Sequence, residues 1–115
     1  IWPYVVVDYN NEMVIVGTVQ EGGSESIIAI GSYSRVPNTD LAEVALIVRD
    51  DWQNKGLGTI LFNYLSEIAK KRGLAGFTAW VMTDNDRMMH ILKKSGYQMR
   101  YRIEGNLYHV EIKFK

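Results

Sequence analysis

The sequence predicts a single α/β domain built on a mixed β-sheet, and three observations support this. Segments rich in β-branched residues, separated by turn signals, run from the start of the chain to Val48. Beyond Gly58, apolar residues recur at helical spacing, and further strand and helix patterns follow. The chain has 115 residues, of which 47% are hydrophobic, enough for one small core.

The first half of the chain reads as an antiparallel meander. The segment at residues 21–25 contains two adjacent glycines and predicts a hairpin turn. The segment at residues 35–40 contains Pro37-Asn38 and predicts a loop. The predicted extended elements are a lead-in with a short strand at residues 1–9, and strands at residues 13–20, 26–33 and 41–48.

The second half adds two helices and three strands. A helix at residues 59–72 ends at Gly73 as its C-cap, and its apolar stripe comprises Leu61, Tyr64, Leu65, Ile68 and Arg72. The strand at residues 77–82 is so apolar that we expect burial on both faces, and it should run parallel to residues 41–48 because it follows a crossover helix. Asp84-Asn85 caps a short helix through Ser95. A terminal hairpin pairs residues 99–103 with 107–114, giving the order β-β-β-α-β-α-β-β.

The glycine turn at residues 48–58 is the most informative stretch. A strand that passes through Gly56 and Gly58 into a helix leaves backbone N–H groups unpaired at the positive end of the helix dipole. Such a turn predicts a phosphate or pyrophosphate cradle, although many glycine turns only cap or connect. The residues match neither a P-loop nor the dinucleotide fingerprint, which needs a third glycine.

Composition narrows the function further. The chain has no cysteine, which excludes disulfides, thiolate metal sites and a Cys nucleophile, and its two histidines lie far apart, so we expect no metal site. The formal net charge is zero, which argues against a nucleic-acid binder. No segment reads as a membrane span or a signal peptide, so we expect a cytoplasmic location. Because the chain starts at Ile1, we expect a domain truncated at its N-terminus or excised from a longer protein.

Glu43 is the candidate catalytic residue. Strand alternation puts Glu43 on one face with Ala45 and Ile47, an unusual setting for a solvated carboxylate. An amine with a pKa of about 10.4 is protonated at neutral pH, and a carboxylate whose pKa is raised by burial can take that proton. A solvated charge at the end of a strand is the alternative interpretation.

These residues resemble the GNAT superfamily of acyl-CoA-dependent N-acetyltransferases. The resemblance rests on Gln53-x-x-Gly56-x-Gly58 between a strand and a helix, with Asn85 opening a short helix that ends in Gly96-Tyr97. It covers roughly residue 8 to the C-terminus. Four further segments are similar to the bacterial protein-lysine acetyltransferases, whose domain is often fused to an acyl-CoA-synthetase-like or cyclic-nucleotide-binding region: residues 8–13, 33–38, 42–48 and 85–88.

The resemblance implies a fold and a set of roles. It implies a mostly antiparallel sheet, flanked by helices, with a parallel pair at the cofactor cleft. Glu43 would be the general base, Ile47 and Val48 would pair with the pantetheine arm, and the amide near Ile47 would polarise the thioester carbonyl. Asn85 would hydrogen-bond the pantetheine. The backbone amides from Asn54 to Thr59 would hold the CoA pyrophosphate. The cofactor-binding residues expected in the motif are Gln53, Asn54, Lys55, Gly56, Leu57, Gly58 and Thr59.

Two departures from the family pattern stand out. Many members carry a tyrosine as general acid seven residues after the helix-opening asparagine, and this chain has Leu92 there, with Tyr97 and Tyr101 as the conceivable substitutes. We expect the N-terminal strand and helices of the family to be missing from this chain and acceptor recognition to be incomplete. His90 and His109 are expected to be solvated.

The function expected from the resemblance is transfer of an acetyl group from acetyl-CoA to a primary amine, foremost a protein lysine, by direct attack in a ternary complex. Two alternatives stay open. One is acetylation of a small-molecule amine at the same cofactor site. The other is a catalytically silent CoA-binding module that regulates a fused domain.

Overall fold

The computed structural model of the chain describes the backbone of residues 2–115 and the side chains of residues 8–115. The part of the predicted lead-in that falls on Ile1 lies outside the described residues. Within the described part, seven strands form one sheet. The strands are β1 (Trp2–Tyr9), β2 (Glu12–Glu21), β3 (Ser24–Arg35), β4 (Leu41–Val48), β5 (Gly76–Met82), β6 (Gln98–Glu104) and β7 (Leu107–Lys113).

The predicted meander is confirmed, with one strand more than the predicted order counted. Residues 2–9 form a full strand of eight residues that pairs along its length with β2. The β2–β3 hairpin closes through Gly22 and Gly23, which both have positive φ, so the turn is tighter than the five residues expected. Four antiparallel strands therefore precede the first helix.

Two helices follow β4 and β5. A 3-10 turn at Asp50–Trp52 leads into α1 (Leu57–Lys71), and α2 (Asp86–Lys94) begins after Asn85. Helix α1 starts two residues earlier than predicted, and α2 ends one residue earlier. The predicted apolar stripe was wrong in part, because Tyr64 is exposed and Phe62 is fully buried. Aromatic character alone does not say which side of a helix faces the sheet.

The sheet order is β1-β2-β3-β4-β5-β7-β6, and every neighbouring pair is antiparallel except β4 with β5. This parallel pair was predicted. It spans only three residue pairs, from Leu41 with Gly76 to Glu43 with Thr78. Above that point the two strands part, while β5 stays paired with β7 through Met82. The sheet therefore opens into a gap between β4 and β5.

Helices cover one face of the sheet, which we call the inner face. The core lies there, where α1 packs on β3 and β4 and α2 contributes Met89 and Leu92. Phe77, Ala79 and Val81 of β5 point into this core and are buried. Trp80 and Met82 point to the opposite, outer face and are about half exposed, so the expected burial of this strand on both faces was wrong. Apolar composition does not reveal that only one face of the sheet carries helices.

The close approach of β5 to β7 gives a test of the register. A Cβ placed on Gly76 would overlap the carbonyl oxygen of Ile112, which belongs to the β7 backbone and cannot move without disturbing the ladder. We expect Gly76→Ala to lower the free energy of unfolding by about 1–3 kcal/mol. Urea denaturation measures the shift. Gly105→Asn, in the β6–β7 turn where φ is 63°, is the control and should leave the midpoint nearly unchanged. Equal midpoints for the two variants would contradict this packing.

Candidate active site

The gap between β4 and β5 leaves backbone groups of β4 without a strand partner. Arg49 donates its N–H to the Ile28 carbonyl at 2.7 Å, and Ala75 donates to the Asp40 carbonyl at 2.7 Å. These two bonds set the alternation along β4: the amide of Ile47 faces β3, whereas those of Leu46 and Val48 face the gap. The open edge of β4 is therefore presented by Leu46 and Val48.

A cavity of about 550 Å³ lies on the inner side of this gap. It is bounded by the end of β4, the 3-10 turn, the start of α1 and one side of α2. The residues that line it are Leu46, Val48, Trp52, Gln53, Asn54, Gly56, Leu57, Gly58, Thr59, Asn85, Asp86, Arg87, Met88, His90, Ile91 and Lys94.

The N-terminus of α1 opens into the cavity without a side-chain cap. Its N-cap is Gly56, whose φ of 83° is a left-handed conformation that glycine adopts without steric cost. The first amide that bonds back into the helix is that of Ile60, to the Gly56 carbonyl at 3.1 Å. The N–H groups of Leu57, Gly58 and Thr59 have no intrahelical acceptor, and no acidic side chain occupies the first turn. This end of α1 is thus positive and free to bind an anion.

Gly58 serves packing rather than turn geometry. A Cβ at this position would lie 2.6 Å from Cδ1 of Ile91, so the absence of a side chain lets the first turn of α1 approach α2 closely. Ile91 itself lines the cavity. The two glycines of the motif therefore do different things: Gly56 permits the turn, and Gly58 sets the width of the site.

A chain of polar side chains fastens β4, the glycine turn and α2 to one another. Gln53 donates from Nε2 to the Val48 carbonyl at 3.2 Å. Its Oε1 accepts from Arg87, which also donates from Nε to Oδ1 of Asn54 at 3.0 Å. Asn54 has a left-handed φ of 63°, and the bond to Arg87 holds its side chain. Oδ1 of Asn85 caps α2 by accepting from the Met88 amide at 3.1 Å.

The charges around the cavity are mainly basic. Arg87 and Lys94 line it beside one carboxylate, Asp86. Lys55 lies next to the cavity, with its Nζ 5.4 Å from the centre of the Trp52 ring. These cations add to the positive end of α1 and favour an anionic ligand.

Arg49 anchors the 3-10 turn to the far end of the β2–β3 hairpin. It hydrogen-bonds Glu21 at 2.9 and 3.1 Å and Asp51 at 2.6 and 2.9 Å. Hydrogen bonds to Arg49 lower the pKa of both carboxyl groups, so both are ionised at neutral pH and attract the guanidinium. The turn that carries Trp52 and Gln53 is thereby held in place from outside the cavity.

Glu43 lies on the outer face of the sheet, at the closed end of the gap. It shares that face with Ala45 and Ile47, as predicted, and all three are exposed. The burial expected of a base is therefore not present in the described structure. Within the described residues the Glu43 carboxylate has neither an ion-pair nor a hydrogen-bond partner.

The cavity brings together most of the predicted cofactor residues. Val48, Gln53, Asn54, Gly56, Leu57, Gly58, Thr59 and Asn85 line it, whereas Ile47 and Lys55 do not. Besides Asp86 and Met88 in the first turn of α2, sequence reasoning missed four cavity residues on this helix, namely Arg87, His90, Ile91 and Lys94. Their spacing of three, four and seven residues marks one side of a helix, and that periodicity is the signal that could have found them.

The positions considered for a general acid do not face the cavity. Leu92 is fully buried in the core. The Tyr97 ring packs against Phe114 with centroids 5.1 Å apart, and Tyr101 packs against Tyr108 at 5.3 Å. Neither tyrosine is placed to reach a group in the cavity.

The two histidines differ in exposure. His90 is exposed, as expected, but His109 is half-buried because its ring packs on Trp80.

None of the helices in residues 2–115 has the length and apolar character that crossing a membrane requires. The same residues contain no cluster of three or more His, Asp or Glu side chains arranged to hold a metal ion.

Comparison with known proteins agrees with this geometry. The sequence profile described as "Acetyltransferase (GNAT) family" matches residues 2–97. The acetyltransferase Pat of Mycolicibacterium smegmatis is 38% identical over 91 residues, which is 78% of this chain and 27% of that protein. This chain therefore spans about a quarter of the length of that curated relative.

Solved structures show the same fold. The GNAT domain of S. lividans PAT superposes with a TM-score of 0.79 at 28% identity, covering 93% of this chain and 63% of that one. The cAMP-binding acyltransferase from Mycobacterium smegmatis superposes with a TM-score of 0.76 at 33% identity, covering 95% of this chain and 33% of that one. Because the family profile matches residues 2–97 and these solved structures share the fold, this chain belongs to the Acetyltransferase (GNAT) family.

Proposed function

We propose that this domain transfers an acetyl group from acetyl-CoA to the amine of a protein lysine. The observation that carries the proposal is the gap between β4 and β5, which leads from the uncapped N-terminus of α1 to the carboxylate of Glu43. Membership of an acetyltransferase family supports the same reaction. The choice of a protein lysine rests on the similarity of residues 8–13, 33–38, 42–48 and 85–88 to bacterial protein-lysine acetyltransferases.

The cavity fits the pyrophosphate of CoA. The free amides of Leu57, Gly58 and Thr59 lie at the N-terminus of α1 and would act with its dipole on a negative charge. Arg87 and Lys94 add full positive charge at the rim. Each feature favours an anion, and the cavity volume of about 550 Å³ falls in the range of small-molecule sites.

The open edge of β4 suits the amide-containing pantetheine arm. Leu46 and Val48 carry the backbone groups that face the gap, so these two residues, rather than Ile47 itself, would pair with the arm. Gln53 already occupies the Val48 carbonyl, which leaves the Val48 amide as the free group there. Because Oδ1 of Asn85 caps α2, its Nδ2 is the atom left to donate to the arm.

The proposed reaction is a direct acyl transfer. Acetyl-CoA supplies a thioester whose carbonyl carbon accepts a nucleophile. The lysine nitrogen forms a bond to that carbon, the carbon–sulfur bond breaks, and the thiolate of CoA leaves with the bonding electrons. Glu43, directly or through water, takes the proton that the amine loses. A free amide of β4, from Leu46 or Val48, stabilises the negative charge that develops on the carbonyl oxygen.

The cofactor half of the proposal can be tested at Gly58. Gly58→Ala would push Ile91 into the cavity, and Gly58→Leu would fill more of it. We expect Gly58→Leu to weaken acetyl-CoA binding by about tenfold or more, measured by calorimetry. The double variant Gly58→Ala with Ile91→Ala removes the clash and should bind more tightly than Gly58→Ala alone. A folded Gly58→Leu protein with unchanged affinity would place the cofactor elsewhere.

The catalytic half can be tested at Glu43. We expect Glu43→Gln to lower kcat by about 100-fold near pH 7 and to leave the affinity for acetyl-CoA unchanged. The deficit should shrink as the pH rises toward about 10.4, where the lysine amine loses its proton unaided. A pH series of kcat on a lysine peptide measures both effects.

Glu12→Gln is the matched control for this experiment. Glu12 is an exposed strand carboxylate whose Cα partner on β3 is Ser34. Ser34 is also the Cα partner of Glu43, so Glu12 lies two strands, or about 10 Å, from Glu43 in the same row of the sheet. This variant should behave as wild type. A Glu43→Gln enzyme with the wild-type rate and pH profile would remove Glu43 from the mechanism. Intact cofactor binding with no turnover on any amine would indicate a regulatory CoA-binding module.

A further inference from the structure

The outer side of the gap forms a slot whose walls are apolar and whose closed end is polar. Glu43 and Thr78 are Cα partners at the last parallel pair, so their side chains share the outer face. Further along the strands, Ile47 lies on the β4 side, and Trp80 and Met82 lie on the β5 side. All three are exposed. Helices and the cavity occupy the inner side, which leaves this slot as the approach for a second reactant.

Trp80 forms part of one wall of this slot and is held by a neighbouring side chain. Its side chain is 48% exposed, unusually so for a large aromatic residue in the interior of a sheet. The ring packs against His109, its Cα partner on β7, with centroids 4.3 Å apart and planes inclined by 40°. This contact holds the indole from the β7 side, and about half of the side chain remains exposed. A rigid, half-open indole is suited to contact an alkyl chain or a cation.

The two carboxylates near the closed end of the slot differ in their ion pairing. Thr78 has Glu43 of β4 as its Cα partner on one side and Glu111 of β7 on the other. Glu111 is paired with Arg100 at 3.2 Å and with Lys113 at 3.8 Å. Glu43 has no partner among residues 8–115. The carboxylate available to an incoming cation is therefore that of Glu43, at the bottom of the slot.

The spacing of these groups suits the length of an extended lysine side chain. Thr78 and Trp80 are two residues apart on the same face of β5, a distance of about 6.6 Å along the strand. Resting on the proposed function, the geometry points to an acceptor slot for a peptide lysine, in which Trp80 and Met82 contact the four-carbon stem and Glu43 meets the amine. Trp80 is then a specificity-determining residue that touches the acceptor.

The apolar rim also separates a peptide lysine from a free diamine of similar length. A diamine would place its second ammonium beside the apolar side chains of Ile47 and Met82, which offer it no hydrogen bond. A lysine in a peptide ends instead in a neutral backbone amide. The slot therefore favours a lysine side chain over a small diamine.

The first test is steady-state kinetics on a lysine peptide with Trp80→Ala, Trp80→Phe and the control Tyr64→Ala. Tyr64 is an α1 aromatic with the same 48% exposure, remote from the gap. We expect Trp80→Ala to raise the KM for the peptide about tenfold, with the acetyl-CoA affinity unchanged, and Trp80→Phe to restore most of the loss. An unchanged KM, or an equal change in Tyr64→Ala, would overturn the inference.

The second test does not need turnover. With CoA at saturation, Nα-acetyl-lysine amide is titrated while the indole N–H resonance of Trp80 is followed by NMR, assigned with Trp80→Phe. We expect a saturable shift with the lysine probe and little shift with the norleucine analogue, which lacks the amine. No shift at any concentration, or an equal shift with both probes, would overturn the slot. Loss of CoA binding in calorimetry would instead count against the proposed function, so the two failures are distinguishable.

Discussion

The short parallel pairing between β4 and β5 is the constraint on which the site depends. Three residue pairs, ending at Glu43 and Thr78, join the two halves of the sheet before the strands part. Because β5 keeps its ladder with β7 and β4 keeps its ladder with β3, the parting does not unravel the sheet. It instead exposes one edge of β4 inside the molecule, where backbone groups normally find a partner. A ligand with amide groups of its own can satisfy them.

The glycine turn gives this opening the features of an anion site. Gly56 lets the chain reverse in a left-handed conformation, and Gly58 lets α1 pack close to α2. A side chain at Gly56 would strain the left-handed turn, and a side chain at Gly58 would collide with Ile91. Arg87 then fastens the turn to α2 through Gln53 and Asn54, while Arg49 fastens it to the β2–β3 hairpin. The free amides of α1 are thus held in a rigid frame, which reduces the reorganisation needed to bind an anion.

The two faces of the sheet differ in what they pack against. The inner face supplies the core under α1 and α2, and it is close-packed around residues such as Phe77 and Leu65. The outer face carries exposed apolar side chains next to the gap, together with Glu43. Under the proposed function, two reactants would approach one opening from opposite sides, and neither would have to cross the other. This separation is compatible with direct transfer in a ternary complex, since both must be present at once.

The sequence by itself determined the strands, the helices, the glycine turn and the face shared by Glu43, Ala45 and Ile47, because those follow from local periodicity and from residues with special backbone freedom. It did not reveal that Trp80 is exposed, that Phe62 rather than Tyr64 faces the core, or that Arg87, His90, Ile91 and Lys94 line the cavity. It also did not show that the free amides belong to Leu46 and Val48. These facts depend on which face of the sheet the helices cover and on where the parallel pairing stops, and contacts between residues distant in the chain decide both.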